Sequence, residues 1–233
     1  LYRDIQGNLV KQVFSPANWS KLFSPLYGRS DMLADDFSKN IFEEKTFADL
    51  LVRNQRPFVV INSTNVASGN RFDFTQRQFD LLYSDLASFP IGRAVAASAA
   101  FPGLLTPLAL RNYPKDDDYI RPAWVNEELK IADANHMRHR QALEADAYIK
   151  SNWPFIHLTD GGVSDNLGIL PVIQLLGNQY PGDDAASILA SGKIKKVVII
   201  MVNAERAAGM DPGAKKEALG LLKVLGVVTS TPM

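Results

Sequence analysis

The sequence Asp160-Gly161-Gly162, which follows the mostly apolar run 155–159, constrains this chain more than any other feature. A short apolar run bounded by turn residues is typical of a buried strand. A carboxylate at the end of such a strand is costly, because burial raises its pKa unless hydrogen bonds or an opposite charge favour the ionised form. The glycines allow the backbone to turn sharply and a second segment to approach. Two interpretations are open: the acid caps the next helix, or it carries out chemistry.

Two other segments accompany this turn in a fixed order. Residues 90–107 read as a helix rich in alanine and serine that is ended by proline, and residues 163–168 place Asn166 shortly after the glycines. This order of a small-residue helix, a strand ending in Asp-Gly-Gly and an asparagine resembles the patatin-like phospholipase family. Residues 59–64 and 71–80 are similar to the strand and hairpin that precede this helix in bacterial members.

The resemblance covers residues 57–166 and extends less closely to residue 203. It implies an α/β fold, a three-layer α/β/α sandwich with a mostly parallel sheet. The alternation of predicted strands and helices favours the same class. We expect residues 1–233 to form a single patatin-like domain that is incomplete at its amino terminus, because the chain opens mid-pattern with Leu1 rather than Met.

The resemblance implies a lipid acyl hydrolase of phospholipase A type, which works through a serine–aspartate dyad without histidine. In the family the serine lies in a Gly-x-Ser-x-Gly elbow, and a glycine-rich loop supplies the amides that bind the oxyanion. Asp160 is the position of this chain that matches the acid of the dyad. Gly161 and Gly162 make room for the serine, and Asn166 supports the loop after the acid. The implied partner is a lipid or acyl ester, with no cofactor and no metal.

Two serines of this chain, Ser30 and Ser164, have a glycine two residues before them, but neither has the second glycine of the elbow. An elbow needs small residues on both sides of the nucleophile, because its backbone is strained and the following helix packs closely. Ser30 is therefore interpreted as a turn or cap serine, and Ser164 as a residue that starts the helix near Asn166. We expect the nucleophile and the oxyanion loop upstream of this chain, which alone would be inactive.

Two alternatives to a dyad hydrolase stay open. A patatin-like domain that has lost catalysis would serve as a lipid-binding or scaffolding module. An unrelated α/β binding domain would use Asp160 only as a cap. A Ser-His-Asp triad is disfavoured, because His157 alternates to the strand face opposite Asp160. On the same ground, we expect His157 to be a hydrogen-bonded core residue.

Charge and composition exclude several function classes. The 25 basic residues balance the 25 acidic ones, so no global field attracts nucleic acid or an anionic membrane, and any membrane contact must come from a local patch. Trp19, Phe23, Leu26 and Tyr27 form either such a patch or part of the core, which large aromatics dominate. The absence of cysteine excludes disulfides, thiolate metal sites and cysteine catalysis. The bacterial resemblance favours the cell envelope or secretion, with peripheral rather than transmembrane attachment.

Residues 111–152 are rich in charge and are predicted to be a helical insertion on the surface of the domain. His136 and His139 lie three residues apart, but catalytic zinc usually has three protein ligands. The aspartate triplet 116–118 lacks the ligand spacing of a calcium loop. Neither set predicts a metal site.

Periodicity assigns the remaining elements. The apolar runs 57–61 and 195–203 predict buried strands, and the alternating run 71–76 predicts an exposed strand. The predicted helices lie within residues 32–52, 79–86, 90–101, 126–131, 135–149, 166–176 and 215–228, with a turn at residues 181–184.

Overall fold

The computed structural model describes residues 14–50, 58–131, 137–151, 153–176, 191–192 and 194–202, together with residues 7 and 11. The chain divides into two compact units, Leu1–Ser164 and Asp165–Met233. The first unit contains the sheet and Asp160, the acid that the sequence singles out.

A four-stranded sheet lies in the described part of the first unit. Its strands are β1 (Asn62–Asn65), β2 (Arg71–Asp73), β3 (Leu108–Arg111) and β4 (Phe155–Thr159), in the order β2-β1-β4-β3. The pairs within it are antiparallel. In the register, Leu158 of β4 lies opposite Leu108 of β3, and Thr159 lies opposite Thr64 of β1.

The relative direction of the strands in this sheet differs from the prediction. Helices lie between β2 and β3 and between β3 and β4, as expected for an α/β protein, but the mostly parallel sheet is not found among the described residues. A tight turn over residues 66–70 joins β1 to β2, and parallel neighbours need a crossover of a dozen or more residues instead. The buried strand predicted over residues 57–61 is wrong for the described residues. Pairing begins at Asn62, residues 58–61 have no regular secondary structure, and Phe58, Val59 and Val60 are exposed.

The helices confirm most of the predicted helical segments, with shifted ends. In the described ranges they are α1 (Pro16–Leu22), α2 (Arg29–Asn40), α3 (Phe47–Leu50), α4 (Gln76–Leu81), α5 (Ile91–Ser98), α6 (Ala123–Glu128), α7 (Met137–Lys150), α8 (Gly162–Asp165) and α9 (Leu170–Leu176). Pro16 is the first residue of α1 and Pro90 is the N-cap of α5. Proline suits these positions, because the N–H that it lacks has no partner at a helix start.

The small residues of α5 allow a very close contact with α2. A Cβ atom built on Gly92 would lie 2.4 Å from the backbone nitrogen of Ser38. Ala94, Ala96 and Ala97 of α5 are completely buried. The two helices therefore meet almost backbone to backbone, which only small side chains permit.

Aromatic side chains fill the core beside β2. Phe72 and Phe74 are buried, and their ring centroids lie 5.5 Å apart in an edge-to-face arrangement. Arg71 and Asp73 are buried too, and a nitrogen of the guanidinium lies 2.7 Å from the carboxylate. The strand predicted over residues 71–76 is therefore present in part, as β2, but its predicted exposure is wrong. Its alternating charges pair with each other inside the protein, which offsets part of the cost of desolvation.

Residues 111–152 contain α6 and α7, which contact each other through Glu128. The Arg138 guanidinium lies 2.6 Å from the Glu128 carboxylate, and Nδ1 of His139 lies 2.8 Å from the Glu128 carbonyl oxygen. Ala142 and Ala145 of α7 are completely buried. This segment therefore adds side chains to the core as well as covering the surface.

The second unit contains α9, which begins later than the predicted start at residue 166. The Asp165 carboxylate accepts hydrogen bonds from the N–H groups of Ile169 and Leu170, at 3.2 and 3.0 Å. Asp165 thus caps a helix that begins at Leu170, because capping satisfies amides that have no partner within the helix.

The buried strand predicted over residues 195–203 is not present in the described part of that segment. Residues 194–202 have no regular secondary structure and their side chains are exposed. A strand needs a neighbour to bond its N–H and C=O groups, and no described strand pairs with this segment. The predicted turn at residues 181–184 and the predicted helix at 215–228 lie outside the described residues.

The contact between α2 and α5 yields a stability prediction. Gly92→Ala adds a methyl group against the Ser38 backbone, and we expect it to lower the free energy of unfolding by about 1–3 kcal/mol, the usual cost of overpacking. Ala99→Ser, at an exposed position directly after α5, should change it by less than about 0.5 kcal/mol. Urea unfolding measures both values. An unchanged midpoint for Gly92→Ala would contradict the close helix contact.

Candidate functional site

Asp160 directly follows β4 and is half-buried. Its Oδ1 accepts a hydrogen bond of 2.7 Å from the N–H of Gly162. Among the residues that the structure describes, no donor lies within hydrogen-bond distance of the second carboxylate oxygen, Oδ2. One oxygen of the acid is therefore held by the turn, and the other remains available to a further donor.

The backbone of this turn is bonded to the end of α5. The N–H of Asp160 donates to the carbonyl of Ala100, and the N–H of Gly161 donates to that of Ser98, both at 3.1 Å. The Thr159 hydroxyl also donates to the Ala100 carbonyl, at 2.7 Å. Carbonyls at the end of a helix lack a partner within it. The strand end supplies these partners, which explains why the small-residue helix lies beside the acid.

Gly161 occupies a position with no room for a side chain. A Cβ atom built there would lie 2.5 Å from the carbonyl oxygen of Asn62 and 2.7 Å from its side-chain Oδ1. Asn62 begins β1, so the edge of that strand presses against the turn. The close approach that the two glycines suggest is thus present at Gly161, whereas Gly162 begins α8 and provides the N–H that Asp160 binds.

Burial raises the pKa of the Asp160 carboxyl above its ordinary value, and the hydrogen bond from the Gly162 N–H lowers it in part. No lysine or arginine among the described residues forms an ion pair with this acid. A carboxylate in this situation is a stronger base than one in water. The same geometry also fits a cap, because the Gly162 N–H lies in the first turn of α8.

The sequence predicts that Ser30 is a turn or cap serine. In the structure it is a completely buried residue in the first turn of α2. Its hydroxyl donates to the carbonyl of Thr106, and its N–H lies 3.3 Å from the Thr106 hydroxyl. Gly28, rather than Ser30, is the N-cap of the helix. A hydroxyl that is buried and bonded in this way joins two segments of the fold and is not placed to attack a substrate.

Ser164 lies in α8, where its hydroxyl is 3.4 Å from the Gly161 carbonyl. Its N–H donates to the hydroxyl of Thr64 at 3.1 Å. Ser164 is thus part of the hydrogen bonds that shape the turn. The prediction that it starts the helix near Asn166 is wrong, because that helix begins at Leu170 and its first amides bind Asp165.

His157 is exposed, so its prediction as a core histidine is wrong. The neighbouring residues of β4, Ile156 and Leu158, are the buried ones, and the alternation of a strand places His157 on the opposite, open face. Asn166 lies in the second unit, in the exposed turn before α9. Its support of the loop after Asp160 stays a prediction.

Thr64 belongs to no sequence motif of the site, but its hydroxyl lies 2.8 Å from the carbonyl oxygen of Asp160. Thr64 belongs to the polar run 62–65 of β1, in which Ser63, Thr64 and Asn65 are all buried. Polar side chains in a buried strand need hydrogen-bond partners. In the sequence, the four consecutive polar residues 62–65 after an apolar run are the signal that could have indicated a buried polar contact here.

The aromatic set near the start of the described chain is exposed rather than part of the core. Trp19, Phe23 and Leu26, which lie on α1 and the connection after it, expose 49%, 83% and 89% of their surface. Tyr27 is half-buried, and its hydroxyl donates to Asp35 at 2.7 Å. No helix among the described residues is long and apolar enough to cross a membrane.

The residues considered as metal ligands are engaged elsewhere or lie outside the described ranges. His139 contacts the Glu128 carbonyl through Nδ1, and the placement of His136 is not described. Within the described part of the chain, no three His, Asp or Glu side chains are grouped so that they could hold a metal ion.

The raised pKa of Asp160 predicts a specific effect of pH on stability. Since the folded pKa lies above the ordinary value of 3.8, ionisation disfavours the folded state, and stability falls as pH rises through that range. Asp160→Asn removes the charge and keeps an acceptor for Gly162. We expect this variant to be more stable than the wild type at pH 7, and the difference to shrink at about pH 3. Thermal unfolding at the two pH values tests this, and a difference independent of pH would contradict it.

Comparison with known proteins identifies the family of this chain. The model of a family described as Patatin-like phospholipase matches residues 3–173. A search of curated proteins and a search of solved structures each found no match. The matched range is more than half of the chain of 233 residues, and it includes the Asp160 turn and Asn166. The chain therefore belongs to the patatin-like phospholipase family, whose activity is that of a lipid acyl hydrolase.

Proposed function

We propose that this protein hydrolyses acyl esters of glycerophospholipids or related lipids through a serine–aspartate dyad, with Asp160 as the acid of the dyad. The observation that carries the proposal is a half-buried carboxylate with a raised pKa and one oxygen that no described residue binds. The serine lies in a Gly-x-Ser-x-Gly elbow upstream of this chain, together with the glycine-rich oxyanion loop of the family. No cofactor takes part.

The reaction has two halves, and in each half Asp160 Oδ2 accepts one proton and then releases it. Asp160 Oδ2 accepts the proton of the serine hydroxyl while the serine oxygen bonds to the ester carbonyl carbon. The bond to the leaving alcohol then breaks, and that alcohol takes the proton from Asp160. In the second half, water gives a proton to Asp160 and attacks the acyl group, and the serine recovers the proton as it leaves. A carboxylate is a weak base for these steps, so burial that raises its pKa supports them.

The surroundings of Asp160 fit this role. Because Gly161 has no side chain, the turn packs directly against Asn62 at the start of β1, which fixes its position. Gly162 holds one carboxylate oxygen through its N–H, which orients the other. We further propose that Asn166 supports the loop that follows Asp160. Strands from upstream sequence would extend the sheet into the mostly parallel, three-layer sandwich of the family.

Peripheral contact with a lipid surface is part of the proposal. The exposed side chains of Trp19, Phe23 and Leu26 provide apolar area, and Lys21 lies beside them on α1, with its ammonium 5.6 Å from the Tyr27 ring centroid. Aromatic side chains favour the boundary between water and lipid. A location at the cell envelope or outside the cell agrees with such contact.

The central test replaces the acid in the full-length protein. Asp160→Asn removes the base, and we expect hydrolysis of a nitrophenyl acyl ester to fall by at least about 10²-fold, the lower range for loss of a general base. Asp117→Asn makes the same chemical change at an exposed surface position and should keep wild-type activity. Retained turnover by Asp160→Asn, with an intact fold, would remove Asp160 from the mechanism.

The position of the nucleophile is tested by a fluorophosphonate, which labels activated serines. We expect the full-length protein to be labelled and residues 1–233 alone to remain unlabelled. Labelling of residues 1–233 would place the nucleophile inside this chain. A full-length protein that lacks the elbow and resists labelling would instead favour a lipid-binding or scaffolding module.

A further inference from the structure

Thr64 is the side chain that joins both ends of the Asp160 turn. It lies in β1 and exposes 1% of its surface. Its Oγ1 is 2.8 Å from the carbonyl oxygen of Asp160, 2.8 Å from the hydroxyl oxygen of Ser164 and 3.1 Å from the Ser164 nitrogen. One buried hydroxyl therefore contacts the residue that opens the turn and the residue that closes it.

The hydrogen-bonding capacity of a threonine hydroxyl fits these contacts. The hydroxyl has one proton to donate and can accept two hydrogen bonds. It accepts the N–H of Ser164, and it donates either to the Asp160 carbonyl or to the Ser164 hydroxyl. The Asp160 carbonyl therefore lies within reach of two donors, the Thr64 hydroxyl at 2.8 Å and the N–H of Val163 at 3.3 Å. The Thr64 hydroxyl is the nearer of the two and comes from a different strand.

The register of the sheet explains why this position carries the contact. Thr64 lies opposite Thr159, the last residue of β4, and Asn65 lies opposite Leu158. Asp160 is the first residue beyond this ladder, so the backbone of β1 no longer bonds to it. The side chain of Thr64 takes over at this point and binds the Asp160 carbonyl.

We propose that Thr64 is a positioning residue for Asp160, whose hydroxyl fixes the backbone of the acid so that the unbonded carboxylate oxygen faces the nucleophile. This inference rests on the proposed dyad. The Asp160 backbone is then held by Ala100 at its N–H and by Thr64, together with the N–H of Val163, at its carbonyl. Small displacements of a catalytic group reduce the rate steeply, since about 1 Å can cost 10²-fold. Loss of the Thr64 hydroxyl should therefore slow chemistry without weakening substrate binding.

Ser63 provides a matched control on the same strand. Its side chain is completely buried, but its hydroxyl has no hydrogen-bond partner among the described residues. Adjacent residues of a strand point to opposite faces, so Ser63 faces away from the turn that Thr64 binds. Ser63→Ala removes a buried hydroxyl of β1 and no contact with Asp160.

The experiment measures kcat and KM for a nitrophenyl acyl ester with the full-length protein. Thr64→Val replaces the hydroxyl by a methyl group of similar size. We expect kcat to fall by roughly tenfold or more and KM to stay within about twofold. Thr64→Ser keeps the hydroxyl and should retain kcat within about threefold, and Ser63→Ala should match the wild type. These fold-changes follow from displacement of the base alone.

The outcomes separate this inference from the proposed function. Wild-type kcat for Thr64→Val, with Asp160→Asn inactive, would overturn the role of Thr64 and leave the dyad in place. An active Asp160→Asn would overturn the dyad itself, and with it this inference. Should Thr64→Val fail to fold, Thr64→Ser and Thr64→Ala form a second pair that differs only in the hydroxyl. Equal kcat for that pair would overturn the proposal, whereas a higher kcat for serine would support it.

Discussion

The candidate site depends on two hydrogen bonds between the end of a helix and the end of a strand. The carbonyls of Ser98 and Ala100, at the end of α5, accept the N–H groups of Gly161 and Asp160. These amides lie on either side of the Cα atom of the acid, so the helix end fixes the backbone from which the carboxylate projects. The helix is in turn fixed by its contact with α2 at Gly92. Packing deep in the core therefore determines where Asp160 stands.

Buried hydroxyl groups perform a related task at two places in the fold. The Ser30 hydroxyl donates to the carbonyl of Thr106, and the Thr64 hydroxyl lies within hydrogen-bond distance of the carbonyl of Asp160. Each contact joins segments that are far apart in sequence, and each provides a donor for a carbonyl outside the regular hydrogen bonds of the sheet. A buried hydroxyl in this protein is thus an indication of a fixed connection, and a serine near a glycine is not by itself a nucleophile.

The local chemistry of the site could be predicted from the sequence, and the partners of its residues could not. The sharp turn at Asp160 follows from the conformational properties of single residue types, whereas the lack of room at Gly161 arises from Asn62 of β1. The burial of the Arg71–Asp73 pair, the exposure of His157 and the antiparallel sheet depend on which segments lie opposite one another. Thr64 was missed for the same reason, because its importance arises from β4 and not from its own neighbours in sequence.

A general base of this kind faces two requirements that conflict. Hydrogen bonds to its carboxylate would hold it firmly, but they favour the ionised form, lower the pKa and weaken the base. The described structure places most of the hydrogen bonds on the backbone instead. Ala100 binds the N–H of Asp160, Thr64 and the N–H of Val163 lie at its carbonyl, and among the described residues only Gly162 binds the carboxylate. Burial therefore determines the direction of the pKa shift of the Asp160 carboxyl, and the backbone hydrogen bonds determine its position. An acid that serves only as a helix cap gains nothing from this separation, since its stabilising effect grows with every amide that its carboxylate accepts.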